Sequence, residues 1–445
     1  MTNVRLINHS SVLIQEGSEF ILTDPWFEKP AFGSWLPVPP TSIPPAYLIS
    51  LAKSCNGFTI VISHGHDDHL DDDFLSMFPR NISIVIPKYH SPGLLKRLQR
   101  IGFEKIIEAP TEGIKHRCFK ICSYINMSIS RDDAILTIET PESFIIHAND
   151  NWQEIEGANL EQIRDIARTY EPEHILYMSQ CNLADGWPNI YTSYTEPERK
   201  YIHESRVKNI VSGSLFNADK IGARYFLNYA GYAAAFIKGN STIRKRGSFK
   251  TNQYVEDIRK ENNYNLEVLD ILPGDCFDFT KIQKMFPGIE LDPDDLKQSS
   301  YEFYESQGQI DKCDTYMSYE NMPCDKLRTQ MDQFLSGFSS FAEARAPSTG
   351  FNEDIVGFKV SFESSDSKVI STIVVGGNGS FNNREVKFSA SSKILSELLR
   401  GKLNWENLYI GYAGTVEVKP KDVNIRAVVR WLAMYGYVYQ RDARV

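Results

Sequence analysis

The stretch SHGHDDHLD, residues 63–71, follows the apolar run TIVIS and reads His64-x-His66-x-Asp68-His69. In an extended chain, residues two apart point the same way, so His64 and His66 can reach one ion. A turn at Asp67 then directs Asp68 and His69 to an adjacent position. Imidazole and carboxylate together suit zinc, iron or manganese, and ligand type alone does not choose among them. A turn that merely topped a strand would be an odd use of so many imidazoles and acids.

This HxHxDH loop after a strand resembles the signature of the metallo-β-lactamase superfamily. The likeness continues in VRLINHSSVLIQEGSEFILTDPWFEKPAFGSW, YMSQCNLADGWPNIY, ARYFLNYAGY and WENLYIGY, which occur in this order. Together they resemble the metallo-β-lactamase-like region of the CMP-N-acetylneuraminate hydroxylase family, over most of the chain. The resemblance implies an αββα sandwich whose metal ligands are His64, His66, Asp68, His69 and Asp150, with Asp150 as a bridging carboxylate at the end of SFIIHAND. Asp68 or Asp150 would position the attacking group. An Asp there could instead cap a helix beginning near Glu154.

By the same resemblance His9, Asp24 and Trp26 border the metal centre, where they would hold a ligand or touch substrate, and Trp187 and Tyr229 form pocket walls. The plainer alternatives are a hydrogen-bonded turn at His9, an Asp-Pro turn opener at Asp24, and ordinary aromatic packing. His147 precedes Asp150 by three residues on one expected strand, so the pleat sends it to the opposite face, as a structural or ligand-supporting residue. His116 is more remote still, and His90, His174 and His203 join no assembly of catalytic groups.

Two departures from these families bear on chemistry. The hydroxylases carry a Rieske domain that needs C-x-H and C-x-x-H ligands, and no Cys here is followed by His two residues later. Electrons for an oxygenase would come from a separate ferredoxin or Rieske-type donor. Dinuclear zinc hydrolases of the superfamily add further histidines, yet ICSYINMSISRDD and ARYFLNYAGY contain none. Sparse protein ligation leaves open positions and favours a non-haem iron oxygenase acting on an N-acyl sugar or nucleotide-sugar-like small molecule. The alternative is a zinc hydrolase of an ester, amide or phosphodiester, in which the ion lowers the pKa of bound water toward about 7.

Short β-rich stretches must position these residues: 12–14, 20–23, 58–63, 82–86, 134–139, 143–147 and 174–178, most bounded by Gly, Pro, Asn or Asp. Segments of helical spacing, 160–170 and 197–211, lie between them. Interleaving of this kind means an α/β layered architecture. The acidic, Pro-bearing PGIELDPDD stretch shows no strand pattern, which sets an expected boundary near 285. Residues 1–285 would form the metal-binding domain, and residues 286–445 a smaller C-terminal α+β domain with a helix at 324–342, alternating stretches at 357–363 and 369–375, and a last helix at 425–435.

The length of 445 residues fits two such units, and 42% hydrophobic with 24% charged residues describes a chain that buries a core. A net charge of -9 argues against nucleic acid as a partner, because phosphate binding needs clustered cations. The basic cluster Lys238, Arg244, Lys245, Arg246 and Lys250 reads as a solvated loop. Seven scattered cysteines and the lack of an apolar run near 20 residues point to a reduced, cytoplasmic protein that does not enter a membrane. Oligomeric state leaves no sign in the sequence.

Overall fold

The structure is a computed structural model that describes residues 2–27, 29–126, 133–151, 158–183, 185–236, 251–285, 292–313, 322–349, 355–376, 381–423 and 425–442. The basic cluster of 238–250 and the helix start near Glu154 lie outside them.

Two sheets carry the first part of the chain. The first has the strand order Ile282–Gln283, Cys276–Phe277, Thr2–Asn8, Ser11–Glu16, Glu19–Thr23, Phe58–Val61, Ser83–Pro87 and Lys105–Ala109. The second runs Glu267–Val268, Tyr225–Tyr229, Ile175–Gln180, Phe144–Asn149, Ala134–Glu139, Phe119–Ile125 and Ile114–His116. Each sheet is antiparallel in one part and parallel in the other: Glu19–Thr23, Phe58–Val61 and Ser83–Pro87 run parallel, as do Phe144–Asn149, Ile175–Gln180 and Tyr225–Tyr229.

Strand periodicity sorts the side chains into layers, since alternate residues face opposite sides. Val61 and Val85 of the first sheet meet Leu136, Ile145, Leu176 and Met178 of the second in the core between them. Their neighbours Ile60, Ile62, Ile84 and Ile86 face outward onto the helices Pro45–Ser54, Asp72–Leu75 and Gly93–Ile101. Phe144, Ile146, Tyr177 and Phe226 do the same beneath Ala158–Ala167, Glu196–Ile221 and Asn252–Glu261. Both faces of each sheet are thus covered, and the strands read as nearly unbroken apolar runs for that reason. The result is a four-layer αββα sandwich.

The later part of the chain forms a smaller sheet in the order Ile370–Val374, Lys359–Ser364, Glu385–Ala390 and Gly414–Lys419, packed with the helices Cys324–Thr349, Ser392–Leu399, Trp405–Tyr409 and Arg426–Asp442. The acidic stretch without a strand pattern runs into the helix Pro293–Ser306, capped by Asp292, which accepts from the backbone N–H groups of Asp294 and Asp295. Leu296 and Tyr304 of this helix, with Ile310 and Cys313 after it, pack into the sandwich core. Met322 and Leu327 begin the other core.

That second core reaches back into the first part. It includes Trp26, Phe32 and Trp35, and it is tied by hydrogen bonds from Trp35 Nε1 to the Ile410 carbonyl (2.8 Å) and from Ser34 Oγ to the Gly411 carbonyl (2.7 Å). Gly411 permits this approach, because a Cβ there would stand 2.0 Å from the Phe32 carbonyl oxygen. No helix among the described residues is long and apolar enough to cross a membrane.

Candidate metal centre

Parallel strands of both sheets end at one edge of the sandwich, where ligands of α/β sheets generally sit. Asp24 follows Glu19–Thr23, His64 follows Phe58–Val61 by a short extended stretch, Asp150 follows Phe144–Asn149, and Ala230 follows Tyr225–Tyr229. The backbone is strained there. His9, Asp24, Asn149 and Ala230 have φ of 31°, 36°, 56° and 44°, in a region that disfavours side chains. Each such residue costs about 1–3 kcal/mol, and such positions gather at functional sites.

Two groups of ligand atoms come together within 4.8 Å: His64, His66 and Asp150 in one, and His9, Asp68 and His69 in the other. The groups adjoin. The rings of His64 and His69 are 4.1 Å apart, and Asp150 Oδ2 of the first group is 3.7 Å from His69 Nε2 of the second. Within the second group Asp68 Oδ2 lies 3.3 Å from His9 Nε2 and 3.6 Å from His69 Nε2. His9, expected at the border, is thus one of the residues that could hold an ion, beside Asp68.

Supporting residues fix the rings. Asp24, wholly buried, accepts from the Ser63 backbone N–H and hydroxyl (2.7 Å each) and pairs through Oδ2 with His69 Nδ1 and His147 Nε2 (3.0 Å each). His69 is thereby turned so that Nε2 faces Asp68 and Asp150, the arrangement of a carboxylate-oriented metal ligand. Arg97 anchors the loop backbone, donating to the carbonyls of Gly65 (2.7 Å) and Leu70 (3.3 Å) while pairing with Asp72. Nothing in its local sequence marked Arg97 for this task.

His147 has both ring nitrogens engaged, one by Asp24 and the other by the Tyr229 hydroxyl. With both nitrogens so paired, it buttresses the site from within the sandwich. Simple pleat alternation from His147 to Asp150 is broken by the register shift between His147 and Asn149, where the chain turns through positive φ. A bulge of this kind re-aims side chains. Tyr229 lies behind the site rather than along a substrate wall. The Trp187 ring, expected as a pocket wall, packs 4.6 Å from the Arg206 guanidinium carbon and is not among the described residues that line the central cavity. Trp26 is buried edge-on against His9, while His116 pairs with Thr59 Oγ1 (3.0 Å), apart from the cluster.

Asp133 is a member that sequence reasoning missed. Its Oδ1 is 3.4 Å from His64 Nδ1 and accepts from Asn151 Nδ2 (2.8 Å). It ends the stretch ICSYINMSISRDD, which lacks the histidine of dinuclear hydrolases. The available signal was an acid abutting a strand start.

Acids and imidazoles this crowded perturb one another. Burial, followed by the charge of Asp150, pushes the Asp133 carboxyl up to about 8. Burial alone would drive the Asp24 carboxyl up as well, but the charges and hydrogen bonds of His147 and His69 outweigh it and hold it far below the usual carboxylate range. Burial opposes a proton on His69, yet Asp68, Asp150 and Asp24 raise it to about 10. His64 goes the other way, driven well down by burial and then by His69 and His66.

The donor set fits a cation. His9 Nδ1 and Nε2, Asp68 Oδ1 and His69 Nε2 are buried with no hydrogen-bond partner. A buried polar atom left unpaired costs about 1–3 kcal/mol. Several such atoms converging with neighbouring carboxylates form a place that a divalent ion would satisfy, with His64, His66 and Asp150 as the second set of donors.

A cavity of about 390 Å³ opens over this centre. Its floor includes His9, His66, Asp68, Asp133 and Asp150, and its far side is built by the C-terminal part, with Phe388, Trp405, Glu406, Tyr409 and Arg430. The volume suits a small molecule.

An αββα sandwich with an HxHxDH loop at its strand ends is the metallo-β-lactamase fold, and the chain is a protein of that fold. No family model matches the chain. A Mycobacterium tuberculosis (strain CDC 1551 / Oshkosh) protein, provisionally named a Rieske 2Fe-2S iron-sulfur protein, is 32% identical over 115 residues, 26% of this chain and 21% of its own length. A similarly named protein of Mycolicibacterium smegmatis is 31% identical over 116 residues, covering 25% and 21%. The chain thus matches about a fifth of the length of these relatives.

Among solved structures, the metallo hydrolase Igni18 of Ignicoccus hospitalis superposes with a TM-score of 0.39 at 15% identity, over 63% of this chain and 99% of its own. The metallo-β-lactamase fold protein YhfI of Bacillus subtilis gives 0.36 at 14%, over 62% and 98%. The diiron β-hydroxylase CmlA of Streptomyces venezuelae gives 0.31 at 14%, over 52% and 44%.

Proposed function

We propose that this protein is a metal-dependent enzyme whose centre holds two adjacent ions and works as a non-haem iron oxygenase, hydroxylating a small molecule with electrons from a separate donor. The observation that carries this reading is the pair of ligand triads, His64–His66–Asp150 and His9–Asp68–His69, with Asp150 in reach of both. Each triad pairs two imidazoles with one carboxylate, the two-His-one-carboxylate set that non-haem iron enzymes use with open positions for oxygen and substrate, and zinc can take the same donors.

Iron bound by these residues would supply dioxygen activation, converting a substrate C–H bond to C–OH while the other oxygen atom leaves as water, with electrons and protons delivered from outside. The chain's own part is to hold and orient. Asp24 fixes the His69 ring, and Arg97 secures the HxHxDH loop. Phe32, Trp35 and Trp405 line the cavity with apolar surface that limits stray water. A ferredoxin or Rieske-type protein is the expected electron donor, consistent with the Rieske name of the mycobacterial relatives.

The second reading, a zinc hydrolase, draws on the HxHxDH loop itself, which serves water activation equally well. Aerobic purification followed by metal analysis and a visible spectrum separates the two. Stoichiometric iron with charge-transfer absorption, and oxygen uptake on addition of reduced ferredoxin, support the oxygenase. A colourless protein with stoichiometric zinc and no oxygen uptake overturns it in favour of the hydrolase.

A further inference from the structure

Among the described residues, Arg430 is the sole Lys or Arg lining the cavity over the metal centre. It is half-buried on the helix Arg426–Asp442, and among the described residues it makes no hydrogen bond or ion pair. Other arginines of the chain are engaged: Arg97 pairs with Asp72, Arg206 with Asp185, and Arg259 with Glu256. A guanidinium carries a fixed charge and a planar fork of donors that a carboxylate can satisfy bidentately. Holding it partly desolvated and unpaired is unfavourable unless a ligand supplies the counter-charge.

The rest of the wall describes the body of that ligand. Phe32, Trp35, Phe388, Trp405, Leu408 and Tyr409 offer aromatic and aliphatic surface. The carboxamides able to read sugar hydroxyls are partly committed, with Asn151 Nδ2 donating to Asp133 and Asn182 Nδ2 to the Gly231 carbonyl. Asp133, Asp150, Asp185 and Glu406 also line the cavity. Their negative charge disfavours a dianionic phosphate, while one carboxylate balances one guanidinium.

We propose that Arg430 binds the carboxylate of a small aromatic acid whose apolar body lies among these rings and whose far end meets the metal centre. This departs from the N-acyl sugar that the sequence resemblance implies. It rests on the cavity being the substrate site of a metal enzyme.

The test uses the full chain, reconstituted with zinc as a redox-inert ion, and calorimetric titration of 3-phenylpropanoate, 3-phenylpropanamide and phenyl phosphate. Wild-type protein is expected to bind the acid at least about tenfold more tightly than the amide, the scale of a charge-assisted pair. Arg430→Met should erase that preference with the amide affinity unchanged, and Arg430→Lys should keep part of it. The proposal is overturned if wild-type protein binds neither acid nor amide, binds them equally, or prefers phenyl phosphate. Retention of the acid preference by Arg430→Met also overturns it, because the carboxylate would then be sitting on the metal. Repeating the titrations on metal-free protein separates the two layers of argument: Arg430 should still favour the acid there, whereas failure of the wild-type chain to retain any metal counts against the enzyme reading alone.

Discussion

Glu406 Oε1, on a short helix of the C-terminal part, stands 3.9 Å from His66 Nε2, on the loop that follows a strand of the first sheet. His66 Nδ1 meanwhile lies 2.8 Å from His64 Nε2, so one ring nitrogen faces the would-be ion and the other faces an acid brought from more than three hundred residues away. Carboxylates behind metal-bound imidazoles typically contribute about 10–100-fold in metal affinity. Glu406→Ala should therefore weaken metal binding by roughly that factor without unfolding the protein, as read by competition with a chromophoric chelator. An unaltered affinity would remove the C-terminal part from the metal centre's support.

Asp24 carries a heavier structural load. It is fully buried and pairs with His69, His147 and Ser63 at once. Breaking a buried charged network by removing one partner costs about 3–5 kcal/mol. Asp24→Asn should lower the free energy of unfolding in urea by an amount near that range, and lower metal occupancy with it. A loss under about 1 kcal/mol, the scale of a surface pair, would contradict the network as described.

His66→Ala should strip most of the bound metal, and His116→Ala should strip none, because His116 is paired with Thr59 outside the cluster. Elemental analysis of the two purified variants decides this. Equal occupancy in both would sink the assignment of the HxHxDH loop. Removing metal from wild-type protein with a chelator should also lower its Tm, since an ion that binds only the folded state stabilises it by mass action.

Gly411→Ala tests how the C-terminal part is seated. The added Cβ would meet two backbone oxygens, Phe32 O at 2.0 Å and Asn407 O at 2.5 Å, and neither can swing away as a side chain could. Overpacking of this kind costs about 1–3 kcal/mol. The variant should show a lower Tm and faster proteolysis of the C-terminal part while the sandwich persists. A protease pattern like that of wild-type protein would show that the contact tolerates a methyl group.

Sequence by itself determined the local parts. Apolar runs at 58–63, 82–86 and 134–139, rich in β-branched and aliphatic residues and mostly bounded by turn formers, read as strands, and strands occupy them. The spacing His64-x-His66-x-Asp68-His69 set four candidate donors within reach of one another before any tertiary contact was known, because neighbours along a loop cannot be far apart. The capped helix at Pro293–Ser306 was missed, since the acidic PGIELDPDD stretch masked its apolar spacing.

Family resemblance pointed to Asp150 and His9 beside that loop, and tertiary structure alone decided what else joins it: Asp133 from the opposite sheet, and Glu406 and Arg430 from the C-terminal part. No periodicity in the sequence could announce these meetings. They depend on which strand ends share an edge and, for His147 and Asp150, on a register shift at Asn149 that overrides the simple alternation of a pleated strand. Short-range spacing is written in the chain, whereas the partners of a buried charge are chosen by packing across the sandwich.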